Sequence, residues 1–216
     1  MKILDRLLEL LYPTKCAFCH KLTGGDKICK SCRTALPLTP KGAQVQKFPF
    51  ISACVSPLYY TGDVRESLLR YKFGSLSAYA EVYAPFMAKC IDENQISCDI
   101  ITWVPLSRKR LRKRGYDQAR LLAEELSRIS GIGCCRLLKK TRNNPAQSGT
   151  GSAEKRRANV SGVYRAAEEE KIKGKSILLV DDIVTTGATL CECARTLRLA
   201  GAASVVCVTV CRTRRK

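Results

Sequence analysis

The stretch Ile177-Leu-Leu-Val-Asp-Asp-Ile-Val-Thr-Thr-Gly-Ala-Thr189 governs how the rest of the chain is read. Its first four residues are apolar, the pattern of a short strand buried on both faces. Two carboxylates follow, and then a loop of hydroxyls and glycine leads into helical spacing over 190–199. A helix start presents N–H groups without intrahelical partners and the positive end of the helix dipole, which together seat a phosphate. Gly187 lets the backbone close on phosphate oxygens, and Thr185, Thr186 and Thr189 add hydroxyl donors, with Val184 and Ala188 completing the loop. Asp181 and Asp182, as carboxylates, only accept hydrogen bonds, which suits the hydroxyls of a ribose whose 5-phosphate sits in that loop. The carboxyl end of a sheet strand is also where open α/β folds bind ligands.

On either side of this stretch, strands are expected over 53–60, 100–104 and 203–210, and helices over 64–71, 78–91 and 119–129. Strands separated by helices imply a mostly parallel sheet with helices on both faces, an α/β fold. The Pro, Thr and Gly stretch at 37–42 reads as a linker, so residues 1–45 are assigned to an N-terminal helix and metal ribbon and 46–216 to the α/β domain.

With 216 residues and 45% hydrophobic content the chain can bury a sizeable core. Thirty-eight basic residues against 19 acidic ones leave a net charge of +19, a field that attracts phosphates, nucleic acid or an anionic surface without choosing among them. No apolar run reaches the roughly 18 residues of a spanning helix, so a soluble protein without a transmembrane segment is expected. Ile3, Leu4, Leu7, Leu8 and Leu11 mark one face of a short helix at 1–11, expected to dock on the protein's own core.

Thirteen cysteines without an export signal point to a reducing compartment, and an odd count excludes a complete disulfide framework. Four are spaced as two C-x-x-C pairs, Cys16-Ala-Phe-Cys19 and Cys29-Lys-Ser-Cys32. Two such pairs close a tetrahedral shell of four thiolates with no open position, which suits structural Zn²⁺ and not hydrolytic zinc. His20, adjacent to Cys19, is an awkward substitute for one ligand.

After the strand expected at 100–104, the run Val104-Pro-Leu-Ser-Arg-Lys-Arg-Leu-Arg-Lys-Arg-Gly115 is strongly basic. Arg110, Arg112, Lys113 and Arg114 are candidates for contacts to nucleic-acid phosphates, which are salt-sensitive and carry little sequence information. The polar stretch 143–160 is long for a connection inside a compact domain, and Gln147, Arg156 and Asn159 are candidates to reach inward from it as a lid.

The thirteen-residue run resembles the signature of type I phosphoribosyltransferases. The chain as a whole resembles the ComF family of bacterial competence-related proteins. The resemblance rests on the four-cysteine ribbon, Tyr60-Thr-Gly-Asp-Val-Arg65 with Tyr71-Lys-Phe-Gly74, Arg114-Gly-Tyr-Asp-Gln118, Gln147 with Arg156-Arg-Ala-Asn-Val160, and the signature itself. It implies that Asp181 and Asp182 contact ribose hydroxyls, that residues 185–189 hold the 5-phosphate of 5-phosphoribosyl pyrophosphate, and that Mg²⁺ bridges ribose and pyrophosphate. It also places the turn at 105–107 where the family has its pyrophosphate loop, which makes Ser107, Arg108 and Lys109 the candidates for the cationic seat of pyrophosphate. Cytoplasmic action in uptake of transforming DNA, on single-stranded DNA with a helicase partner, is implied likewise. Asp117 stands where the family pattern leads one to expect asparagine.

Overall fold

The computed structural model describes residues 13–141 and 162–214. In chain order its elements are α1 (Lys30–Ala35), β1 (Val45–Phe48), β2 (Ile51–Val55), β3 (Leu58–Tyr59), α2 (Gly62–Phe73), α3 (Tyr79–Glu93), β4 (Ile100–Trp103), α4 (Arg108–Arg114), α5 (Gln118–Ser130), β5 (Leu138–Lys140), β6 (Tyr164–Ala166), β7 (Ser176–Val184), α6 (Ala188–Leu199) and β8 (Ser204–Arg212). The main sheet runs β1-β2-β8-β7-β4, with every neighbour parallel except the edge strand β1. β5 and β6 form a separate antiparallel pair.

Alternation along the central strands divides the core, because successive side chains in a strand leave by opposite faces. Leu178, Val180, Val206 and Val208 pack with Leu68 and Tyr71 of α2, Tyr83 and Met87 of α3, and Leu122 of α5. Ile177, Leu179, Val205 and Cys207 pack with Leu190, Cys193 and Leu197 of α6 and with Leu138 and Tyr164 of the small β pair. Both faces of the sheet are therefore covered, and the apolar runs read as buried strands are buried on both sides.

The strand expected at 53–60 is two pieces in one register. Val55 pairs with Val208 and Leu58 with Cys211, and the interruption falls at Ser56-Pro57. Proline has no N–H to give the ladder, and Ser56 Oγ instead lies 2.7 Å from Thr209 Oγ1. The stretch expected as a linker is hydrogen-bonded along β3: Thr39 N–H donates to Pro57 O at 2.8 Å and Tyr59 N–H to Pro37 O at 2.8 Å. Backbone groups beside a strand edge need partners once water is excluded, and this segment supplies them. β1 has no counterpart among the expected strands; only its pairing with β2 makes Val45–Phe48 a strand.

The ribbon docks on the larger domain through Phe18, which is fully buried against Tyr83 and Phe86 at ring-centroid distances of 6.0 and 6.2 Å. Ser67 Oγ donates to Ala17 O at 2.5 Å, and Arg70 donates to the carbonyls of Ala17 and Phe18. No helix among the described residues is long and apolar enough to cross a membrane. The helix expected at 1–11 lies outside the described residues.

Candidate functional site

β7 runs on through Asp181 and Asp182 to Val184, still paired with β8, and the chain then turns over residues 185–187 into α6. Gly187 is the residue before the first turn of α6 and has φ 77°, the left-handed region that favours glycine. The Thr186 hydroxyl accepts from Ala188 N–H at 3.4 Å, which leaves the hydroxyl proton free to point elsewhere. Thr185, Thr186, Gly187, Ala188 and Thr189 line a small cradle with Asp181 and Val184.

A second cavity of about 250 Å³ opens beside the cradle, sharing Asp181, Thr185 and Thr189 with it and adding Asp182. Its cations are Lys72, Arg110, Arg114 and Lys140, brought from α2, α4 and β5. Arg110 and Arg114, expected to serve nucleic acid, thus face this cavity. Ser107, Arg108 and Lys109 do not line it. Ser107 is buried as the N-cap of α4, its Oγ accepting from Arg110 N–H at 3.4 Å, and Arg108 and Lys109 are exposed. The seven-residue helical geometry of α4 explains the exchange, since residues four apart share a face. Arg112 and Lys113 lie on its exposed side.

The two acids differ in their surroundings. Asp182 is 8% exposed and its Oδ1 lies 3.0 Å from Lys72 Nζ. Asp181 Oδ1 accepts from Asp182 N–H at 2.8 Å, and burial, with the charge of Asp182 added, pushes its carboxyl up to about 8. Alternation along β7 turns the pair to opposite faces at the strand's end, so each meets different neighbours. Lys140 donates to Tyr164 OH at 3.2 Å, and burial lowers its pKa.

Gln118 is 1% exposed and lines the same cavity. Its Oε1 accepts from Arg114 at 2.8 Å, while its Nε2 has no hydrogen-bond partner among the described residues. A buried donor without a partner costs about 1–3 kcal/mol, so this amide is suited to an acceptor that arrives with a ligand. Asp117 caps α5 through Arg120 N–H at 3.4 Å and accepts Leu106 N–H at 3.1 Å, fixing the turn beneath α4. The two N–H groups go to different carboxylate oxygens, so an asparagine, with a single oxygen, could accept only one of them.

Lys72, Lys140, Tyr164 and Gln118 join the pocket without having been site candidates on sequence grounds. Lys72 and Gln118 fall within quoted motifs that assign them no role, and Lys140 and Tyr164 sit on strands too short to give a periodic signal. The lid candidates Gln147, Arg156 and Asn159 lie outside the described residues.

The thiols of Cys16, Cys19, Cys29 and Cys32 all lie within 4.8 Å of one another, and Cys19 Sγ is 3.7 Å from Cys29 Sγ. A tetrahedron with Zn–S of about 2.3 Å has edges near 3.8 Å, which the Cys19–Cys29 separation matches, and the four sulfurs are near enough to share one zinc ion. Cys29 N–H points at Cys16 Sγ and Cys32 N–H at Cys29 Sγ, both at 3.4 Å, as backbone donors do around a thiolate shell. It is the one such group among the described residues, and His20 is outside it.

Residues 112–216 match the phosphoribosyl transferase domain family and residues 7–44 the double zinc ribbon domain family. The DNA utilization protein YhgH of Escherichia coli strain K12 is 31% identical over 212 residues, covering 92% of this chain and 90% of that protein. Competence protein ComFC of Bacillus subtilis strain 168 is 33% identical over 159 residues, 71% of this chain and 62% of that one. Among solved structures, the glutamine phosphoribosylpyrophosphate amidotransferase of B. subtilis aligns with a TM-score of 0.42 and 22% identity, over 61% of this chain and 26% of that one. A four-cysteine ribbon, a phosphoribosyl transferase domain, near full-length similarity to YhgH and 33% identity to ComFC together establish that the chain belongs to the ComF family.

Proposed function

We propose that this chain seats a 5-phosphoribosyl pyrophosphate-type sugar phosphate at the end of β7 and works in the uptake or processing of single-stranded DNA. The observation that carries the reading is convergence: two carboxylates, a hydroxyl and glycine loop at a helix start, and four cations meet around two adjoining cavities at the carboxyl end of a parallel sheet. The loop takes the 5-phosphate, the carboxylates accept from the ribose hydroxyls, and Arg110, Arg114 and Lys140 face the second phosphorylated end. The names of the relatives support the DNA role, as do the +19 net charge and the exposed Arg112 and Lys113. A DNA-uptake helicase as partner and a cytoplasmic location belong to the same reading.

Mg²⁺ is bound through one or two carboxylates plus ligand phosphates and water, seldom by a cage of protein groups. Asp181 fits that description, since no ion pair holds it among the described residues; Asp182 is already paired with Lys72. An ion arriving with pyrophosphate would offset charge on its oxygens.

Titration calorimetry with phosphoribosyl pyrophosphate and Mg²⁺, comparing wild type with the double substitution Asp181→Asn and Asp182→Asn, tests the pocket. Heat is expected only from wild type, and equal heats from both proteins would refute the site.

The intact loop with both acids also favours a second reading, transfer of ribose 5-phosphate from the pyrophosphate donor to a nitrogen acceptor. In that reaction the ribose C1–nitrogen bond forms, the C1–oxygen bond breaks and pyrophosphate leaves. The chain's single histidine lies in the ribbon, so transfer would run on positioning and electrostatics without a histidine base. A turnover assay across purine and pyrimidine acceptors separates the two readings, product formation favouring the enzyme.

A further inference from the structure

The side chains of the motif Tyr71-Lys72-Phe73 each secure a different part of the pocket wall. Tyr71 is fully buried and donates from its hydroxyl to Gln118 O at 2.9 Å, which pins the last turn of α2 to the start of α5. Phe73 carries the Arg114 guanidinium over its ring at 5.0 Å. Between them Lys72 reaches Asp182, with side-chain exposures of only 16% and 11% for the two partners. Burial works against the charged form of Lys72, but the charge and hydrogen bond of Asp182 outweigh it and raise its pKa.

We infer that Lys72 is the resident cation of the ribose subsite, its ammonium holding Asp182 in place for the sugar hydroxyls so that ribose 5-phosphate is recognised without a divalent ion at that carboxylate. The inference rests on the sugar-phosphate reading above and deepens it. An ammonium at Oδ1 and a divalent ion at the same oxygen exclude each other, because both need the same lone pairs and repel at contact distance. The pairing leaves Asp182 able to accept from a hydroxyl through Oδ2, and it lowers the cost of keeping a carboxylate beside an incoming phosphate. Lys72 is in this sense a positioning residue: it acts on the sugar through Asp182.

The test is calorimetric titration of the full chain with ribose 5-phosphate and with inorganic phosphate, each in magnesium-free and magnesium-containing buffer, without chelator so that the ribbon keeps its metal. Wild type is expected to bind ribose 5-phosphate more tightly than phosphate, by a ratio that Mg²⁺ leaves unchanged. Lys72→Met should reduce that ratio about tenfold, the loss expected for one charge-assisted hydrogen bond. Lys72→Arg should restore it. Because Lys72→Met leaves a buried carboxylate unpaired, the double variant Lys72→Met with Asp182→Asn provides a fold-safe arm and should show the same loss. If wild type fails to bind ribose 5-phosphate, the sugar-phosphate reading itself falls. If wild type binds but only with Mg²⁺, or if Lys72→Met keeps the ratio, the pocket stands and the role of Lys72 is overturned.

Discussion

Phe48 lies directly on Gly187: a Cβ built on the glycine would stand 2.3 Å from Phe48 Cε1 and 2.5 Å from Cδ1. The loop between β7 and α6 is thus backed by the end of the edge strand β1, and the glycine is required twice, for φ 77° and for the approach of the ring.

Gly187→Ala should lower stability by about 1–3 kcal/mol, the range for a non-glycine residue forced into a sparsely populated backbone region, and should also abolish sugar-phosphate binding. Adding Phe48→Ala relieves the clash but not the backbone strain, so calorimetric affinity should recover only in part. Urea denaturation midpoints equal for wild type and Gly187→Ala would show that the loop gives way without cost.

Asp181 offers a test by pH. Its folded carboxyl is raised from 3.8 to about 8 by burial and by Asp182, so between those values the folded state holds a proton that the unfolded state has released. Stability from this group therefore falls as pH rises through that window and is level above it. Asp181→Asn should remove the effect, so its advantage over wild type grows from acid toward pH 8. A difference in unfolding free energy that stays constant across the window would contradict the assigned burial.

Metal analysis should find one zinc per chain, and Cys29→Ser should reduce it and lower the melting temperature. Because Phe18 sits between two of the ligands and packs on Tyr83 and Phe86, losing the ion should loosen the larger domain as well. Phe18→Ala with the cysteines intact should cost about 3–5 kcal/mol, as large-to-small changes in a core do. A loss under about 1 kcal/mol would mean that the ribbon contributes little to this core.

The faces of α4 should separate two activities. Arg112→Ala with Lys113→Ala should weaken single-stranded DNA binding and flatten its salt dependence, by a slope of roughly 0.7 for each DNA phosphate no longer neutralised. Sugar-phosphate affinity should be unchanged in that variant. Arg110→Ala with Arg114→Ala should reduce sugar-phosphate affinity directly. DNA affinity that does not change between low and moderate salt in wild type would remove the phosphate-contact argument altogether.

Whatever is local in this protein is legible in its sequence. The turn from β7 into α6 is contiguous, and its glycine, hydroxyls and carboxylates are set by adjacency, so its chemistry can be read with no fold in hand. The same holds for the cysteine pairs, whose spacing sets how two short turns face one ion, and for the buried strands, whose apolar runs report two covered faces.

The partners of those groups come from the three-dimensional packing alone. Which carboxylate is paired depends on strand alternation turning Asp182 toward α2, and on α2 bringing Lys72 there. The exchange of roles between Lys109 and Arg110 follows from the helical phase of α4, which a run of like charges does not reveal because no apolar residues mark its inner face. β1 is a strand because β2 offers its backbone groups partners, and its position is what lays Phe48 on Gly187. Charge pairing, burial and hydrogen-bond completion act through space between distant residues, and a linear pattern records them only where both partners are sequence neighbours.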